Sequence, residues 1–277
     1  MSQAALIRRT PHPHTRDSLA SELRALGLTP GMNLLVHCSM RRIGFIVGGA
    51  QTLLLALLDA IGPQGTLMVP THTSFNTDPA RWENPPVPAD WVQTIRDHTP
   101  AFDPQRTPSN LMGQLAELVR TCPDARRSPH PVGSFAALGP AAATLVDHHP
   151  LLHEFGETSP LARHYDLDGH VLLLGVGHER NTSLHLAEHR ADFPAKSTIS
   201  EGCAMLVDGQ RAWVSYPMLA LDTDDFPRLG RDFEAAHASP TLHIATIGGA
   251  TARLIHQPTL VDFATDWMEL HRHPDED

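Results

Sequence analysis

The chain has 277 residues, 41% of them apolar and 19% charged, with a formal net charge of −10. These values describe a globular protein able to bury a sizeable core, and they exclude a disordered or collagen-like chain. The acidic balance argues against a nucleic-acid binder, which needs a basic face, and suits a cationic ligand.

No apolar run approaches the ~18 residues of a spanning helix, so no membrane is expected, and no apolar leader segment is visible at the start. Cys38, Cys122 and Cys203 lack paired spacing, which argues against a disulfide framework and points to a reducing cytoplasm. Residues 18–28 (SLASELRALGL) have helical spacing, with Leu19, Leu23 and Leu26 on one face. Residues 33–37 (NLLVH) read as a buried strand, and residues 50–61 as a helix burying Leu53, Leu54, Leu57 and Leu58. With strand 66–69 they form a βαβ unit, hence a right-handed crossover and a parallel pair. The intervening loop, CSMRRIGFIVGG, has neither G-x-G-x-x-G nor the Walker pattern. It still leads through Gly44, Gly48 and Gly49 into a helix N-terminus beside Arg41 and Arg42, which offers N–H groups to an anion.

Residues 70–131 hold eleven of the 24 prolines and two of the four tryptophans, with helical pieces at 91–97 and 113–120. This composition indicates an ordered excursion, a lid or wall rather than a disordered linker. Residues 127–139 are turn-rich and then strand-like, residues 140–148 helical, and a further helix starts at Pro160, capped by Thr158 or Ser159.

Residues 171–190, VLLLGVGHERNTSLHLAEHR, are the pivotal stretch. A buried strand ends in a glycine turn and feeds a helix capped by Asn181 or Thr182, the place where open α/β sheets put their chemistry. His185 stands in the first turns of that helix. His185, Glu188 and His189 spell H-x-x-E-H, an inverted zinc-protease pattern whose two histidines share a helix face. The other reading takes His185 alone as a general acid or base.

Residues 197–207 and 210–216 read as an antiparallel hairpin around Asp208-Gly209. Residues 221–234 then carry five acids, Asp222, Asp224 and Asp225 nearly adjacent, as helix-start acids or as a cation site. Residues 259–270 form a closing amphipathic helix, followed by the polar tail HRHPDED. The expected fold is α/β, one domain over residues 1–277. It has a central, mostly parallel sheet with helices on both faces and a small antiparallel hairpin region at 197–216.

Four blocks of this chain resemble the aminoglycoside 3-N-acetyltransferase family, in the family's order: LLVHCSMRRIGFIVGGAQTLLLALLDAIGPQGTLMVPTHT, RSPHPVGSFAALGP, HPLLHEFGETSPLARHYDLDG and VLLLGVGHERNTSLHLAEHR. The resemblance implies acetyl-coenzyme A as co-substrate, a cationic aminoglycoside as acceptor, no metal, and an oligomeric state left open, a homo-oligomer included. It implies coenzyme A contacts by His37, Cys38, Ser39, Met40, Ile46, Val47 and Gly48, and by Thr71, Ser128, His130 and Phe135. It implies Thr71 and His72 beside the reaction centre, and substrate contacts by His72, by Asn76 or Asp78, and by Asp222, Asp224 and Asp225. The family usually has serine where this chain has Cys38, and more often glycine where it has Thr158.

The chemistry can be argued alongside. Acetylating an amine requires it unprotonated, yet the carboxylates that capture a polyamine favour its cation. A local base must therefore take the proton, and histidine titrates in the right range. His185 fits that role, with a carboxylate such as that of Asp222 fixing its tautomer. Main-chain N–H groups of the Cys38 loop or the Thr71 hydroxyl would meet the thioester oxyanion. Two alternatives stay open: a metallohydrolase built on His185, Glu188 and His189, and a non-catalytic coenzyme-A- or polyamine-binding domain.

Overall fold

A computed structural model describes residues 3–273. Helices α1 (Gln3–Arg9) and α2 (Arg16–Leu26) lead into β1 (Asn33–Cys38), and α3 (Met40–Ile43) and α4 (Ala50–Ile61) carry the chain to β2 (Thr66–Pro70). The excursion holds α5 (Val92–His98) and α6 (Gln114–Arg120) and returns through β3 (Arg126–Arg127) and β4 (Phe135–Leu138). Next come α7 (Ala142–Val146), α8 (Pro160–Asp166), β5 (His170–Leu174) and α9 (Ser183–Arg190). The chain ends with β6 (Thr198–Val207), β7 (Gln210–Leu219), α10 (Phe226–Ala236), β8 (Leu242–Ile247), β9 (Ala250–His256) and α11 (Gln257–His271).

Period-2 alternation sorts the sheet residues into two cores. Leu34 and Val36 of β1, Leu67 and Val69 of β2, and Leu172 and Leu174 of β5 pack against α2, α4 and α6. Their neighbours Leu35, Met68, Val171 and Leu173 point the other way, into the core closed by α7 to α11. Both faces of these strands are therefore covered, which is why they read as continuous apolar runs. Each fully buried leucine contributes about 1.5–3 kcal/mol. Thr15 starts α2 with a reciprocal capping box to Ser18, so the helix begins ahead of its apolar stripe.

The main sheet has seven strands in the order β3-β4-β2-β1-β5-β9-β8, and β6 and β7 form a separate ribbon. Only the β2–β1 and β1–β5 pairings are parallel; β3, β4, β8 and β9 are joined through antiparallel pairings. The sheet is thus mixed, not mostly parallel. Two local causes account for this. The excursion leaves the carboxyl end of β2 and its return strand β4 lies back along it. Gly248-Gly249, with Gly248 at φ 56°, turns β8 straight into β9 in a stretch where the sequence reading assigned no strand.

The ribbon turns at Asp208-Gly209, both at positive φ as a type I′ turn requires. It is stapled to the excursion through the Asn76 amide, which accepts from Ala204 N–H at 2.9 Å and donates to Ala204 C=O at 3.1 Å. Of the polar tail, residues 274–277 lie outside the described residues, and Arg272 turns inward. Among the described residues no helix is long and apolar enough to cross a membrane.

The interior holds several imidazoles as neutral rings. Burial pushes His37 and His72 down to about 3, and His130, His164 and His189 down to about 4. Unfolding lets each take a proton near ~6.5, so each adds up to about 1.4 kcal/mol of lost stability per pH unit below that value. Glu154 acts with the opposite sign, since burial and then Glu201 push its carboxyl up to about 8. The histidines outnumber it, and denaturant melts at pH 7, 6 and 5 should show stability falling steeply. A flat profile across that window would contradict the neutral interior.

Candidate active site

Because β2, β1 and β5 are parallel neighbours, their carboxyl ends open on one edge, and a cleft of about 720 Å³ lies there. His37, Cys38, Ser39 and Met40 come from the end of β1, Pro70 and His72 from β2, and Val176 from the turn after β5. Residues 111–116 of the excursion make one wall; Glu179, Arg180, Asn181, Thr182, His185, Thr223 and Phe226 make the other. A second groove of about 340 Å³, lined by Leu6, Phe45, Ile46 and Gly49 among others, shares Met40, Arg41 and Gln114 with it. The cleft and the groove therefore adjoin.

His185 is the best-placed base in the cleft. Its Nδ1 lies 2.7 Å from Glu188 Oε2, one helical turn on. Its ring stacks on Phe155 at 5.2 Å and leans on Phe226 at 5.1 Å. Glu188 is fully buried. Its other oxygen, Oε1, accepts from the Asp222 N–H at 2.8 Å and from Arg272 Nη1 at 2.6 Å. Burial opposes its charge, but the hydrogen bonds from His185, Asp222 N–H and Arg272 outweigh it and hold the carboxyl below the ordinary carboxylate range. An ionised carboxylate only accepts, so the Nδ1–H donates to it and Nε2 is the nitrogen left without this partner. His37 and His72, which sense the charge of His185, stay neutral through burial and do not compete for a proton.

The carboxylate that orients His185 is therefore Glu188, not Asp222. The Asp222 carboxylate instead accepts from Asp224 N–H at 2.8 Å, and Asp225 is forked by Arg272 at 2.7 Å on each oxygen. Asp222 and Asp224 are exposed beside the cleft, outside its lining. Nor does Thr71 line the cleft: its buried hydroxyl pairs with Ser134 Oγ at 3.1 Å and receives Arg127 Nε at 3.2 Å. Ser128, His130 and Phe135 are fully buried behind the wall. Ser128 Oγ meets His149 at 2.9 Å, His130 Nδ1 takes the N–H groups of Val132 and Gly133, and Phe135 supports the His72 ring edge-on. Asn76 is spent on Ala204, and Asp78 on a forked bond from Arg96 at 2.8 Å. Both therefore brace the excursion. Ile46 lines the second groove, Val47 is half exposed beside it, and Gly48 opens the turn into α4 at φ 77°.

The H-x-x-E-H pattern does not assemble a ligand set. Glu188 faces His185, His189 turns to His153 with ring centroids 6.1 Å apart, and no three His, Cys, Asp or Glu side chains converge among the described residues. The sequence reading gave no site role to Glu179, Arg180 or Arg272. His178, in the same loop, bonds Glu234 at 3.0 Å against Gly230, where any side chain would strike the imidazole.

A carboxylate-backed imidazole beside a cleft is an arrangement that can take a proton from a bound group. The sequence profile of the aminoglycoside 3-N-acetyltransferases matches residues 35–269, and the chain belongs to that family. The aminoglycoside N(3′)-acetyltransferase-like protein YokD of Bacillus subtilis is 38% identical over 264 residues, 95% of each chain. The YokD crystal structure covers 97% of this chain and 98% of its own with a TM-score of 0.93 at 37% identity. Aminoglycoside N(3)-acetyltransferase VII of Streptomyces paromomycinus is 38% identical over 97% of this chain and 96% of its own. The structure of AAC-IIIb with CoASH has a TM-score of 0.82 at 32% identity, over 96% of this chain and all of that one (100%).

Cys38, in the cleft, is a poor nucleophile because burial pushes its thiol up to about 12. Cys38 should resist a maleimide in the native protein and react once the chain is unfolded, and Cys38→Ser should keep most activity. Fast native labelling of Cys38, or loss of activity in the serine variant, would oppose this.

Proposed function

We propose that the protein transfers the acetyl group of acetyl-coenzyme A directly to the 3-amino group of an aminoglycoside, and so confers resistance to that antibiotic. The observation that carries the reading is the His185–Glu188 pair at the cleft, in a chain of this family. The coenzyme A complex of a relative and the names of the curated relatives agree with it.

The amine enters where Nε2 of His185 is available. As its nitrogen attacks the thioester carbon, a C–N bond forms and one amine proton passes to Nε2. Glu188 stabilises the resulting imidazolium through Nδ1–H. The C–S bond then breaks, and the coenzyme A thiolate recovers the proton from Nε2, leaving an amide and a free thiol. No acyl-enzyme is needed, in keeping with the inert Cys38. His37, Ser39, Met40 and Ile46 would flank the acyl carrier, and the excursion would serve as the cleft's outer wall. The three cysteines are free, which suits a cytoplasmic location.

The direct test is thiol release from acetyl-coenzyme A across an aminoglycoside panel, with the product position determined. His185→Ala should lower kcat by about 10²–10⁴-fold with little change in KM. His189→Ala should be nearly silent. Full activity in His185→Ala would remove it from the chemistry, and equal loss in both would revive the metal reading.

Exposed Asp222 and Asp224 supply attraction at the cleft rim, screened over a Debye length of about 8–10 Å. Added salt should raise KM for the aminoglycoside while kcat moves little, and an Asp222→Asn, Asp224→Asn double variant should blunt the effect. A KM equal to wild type in that variant would leave the two acids without a role in binding.

A further inference from the structure

Arg272 follows the last turn of α11, beyond residue 269, where the match to the family profile ends. Its side chain is nevertheless only 8% exposed. One nitrogen lies 2.6 Å from Glu188 Oε1, two others fork onto Asp225 at 2.7 Å, and Nη2 also reaches the Asp222 carbonyl at 2.9 Å. The guanidinium lies over Phe193 at 5.1 Å and Phe226 at 5.9 Å. It thus touches the carboxylate behind His185, the loop that gives Glu188 its N–H donor, and an aromatic ring that steadies His185. It does not line the cleft, so it meets no reacting atom.

We propose that Arg272 is a positioning residue for acetyl transfer, which fixes Glu188 behind His185 and shares its charge, and so sets how strongly the imidazole holds a proton. The inference rests on His185 being the base. Burial alone would drive Glu188 to take a proton and give up the Nδ1–H tautomer. With His185 as its only cationic partner, Glu188 would bind the imidazolium so firmly that the proton returns slowly to the leaving thiolate. A guanidinium on Oε1 relieves both extremes.

The other groups around the pair leave this balance to Arg272. His37 at the end of β1 and His72 after β2 are neutral, as is His189 on α9. The carboxylates at the start of α10 are engaged, Asp222 with Asp224 N–H and Asp225 with Arg272 itself. Glu179 and Arg180 are exposed at the cleft. Lys196, near His189, donates to the carbonyls of His189 and Ala191.

The test is the pH profile of kcat/KM in the thiol-release assay for wild type, Arg272→Gln, Arg272→Lys and Asp225→Asn, with thermal melts of each. Removing the positive charge leaves Glu188 more attractive to a proton on His185, so the acidic limb should move up by about one pH unit in Arg272→Gln. Arg272→Lys keeps the charge but not the fork, and should hold the limb in place with a lower kcat. Asp225→Asn frees the guanidinium toward Glu188 and should move the limb down. An unmoved or lowered limb in Arg272→Gln, with only a lower melting temperature, would make Arg272 a structural strap and overturn the proposal.

If Arg272→Gln does not fold, an unmoved limb in Asp225→Asn has the same force. Absence of thiol release by wild type with every aminoglycoside would sink the acetyl-transfer reading instead. Proton NMR titration of the imidazole signal missing from His185→Ala still decides the proposal in that case, with the midpoint rising in Arg272→Gln or contradicting it.

Discussion

The structure of this site depends on one buried carboxylate. Glu188 has no solvent, so its charge survives only because His185, the Asp222 N–H and Arg272 each contact it. Those contacts come from α9, the loop before α10 and the segment after α11, elements far apart in the chain. A buried ion pair of this kind is weak evidence of stability, since desolvation offsets most of the attraction. What it supplies is a fixed direction: Nδ1–H toward Glu188, and Nε2 toward the cleft.

The surroundings set His185 apart from the other imidazoles at this edge. His37 and His72 reach the same edge from the ends of β1 and β2, yet burial keeps both rings uncharged. Cys38 beside them is held as a thiol for the same reason. Of the three histidines that line the cleft, His185 is the one held by a carboxylate. Phe155 stacks on the His185 ring and Phe226 leans against it at a tilt, which leaves the ring nitrogens for polar partners.

The parts legible in the sequence are those written in local pattern. The apolar runs of β1, β2 and β5, the Leu stripe of α4, the Asp208-Gly209 hairpin and His185 in the first turns of α9 all follow from spacing. Family resemblance adds the acyl carrier and the acceptor. What pattern does not carry is pairing across distance. Glu188 enters the sequence reading only through H-x-x-E-H, because nothing local shows that Arg272 folds back onto it. The resemblance gives Asn76 or Asp78 to the substrate, and nothing local shows that their partners Ala204 and Arg96 lie on other elements. The antiparallel β8 and β9 hide in a short hairpin whose outer strand is only partly buried, and so the sheet read as more parallel than it is.

The central claim is that an ionised Glu188 holds the proton of His185 on Nδ1 and leaves Nε2 bare. Nitrogen-15 NMR of imidazole-labelled protein, with His185 assigned by its loss in His185→Ala, observes this directly. The account predicts, at neutral pH, a protonated Nδ1 coupled across a hydrogen bond and an Nε2 with the shift of an unprotonated ring nitrogen. A proton on Nε2, with Nδ1 accepting from a neutral Glu188, would contradict it.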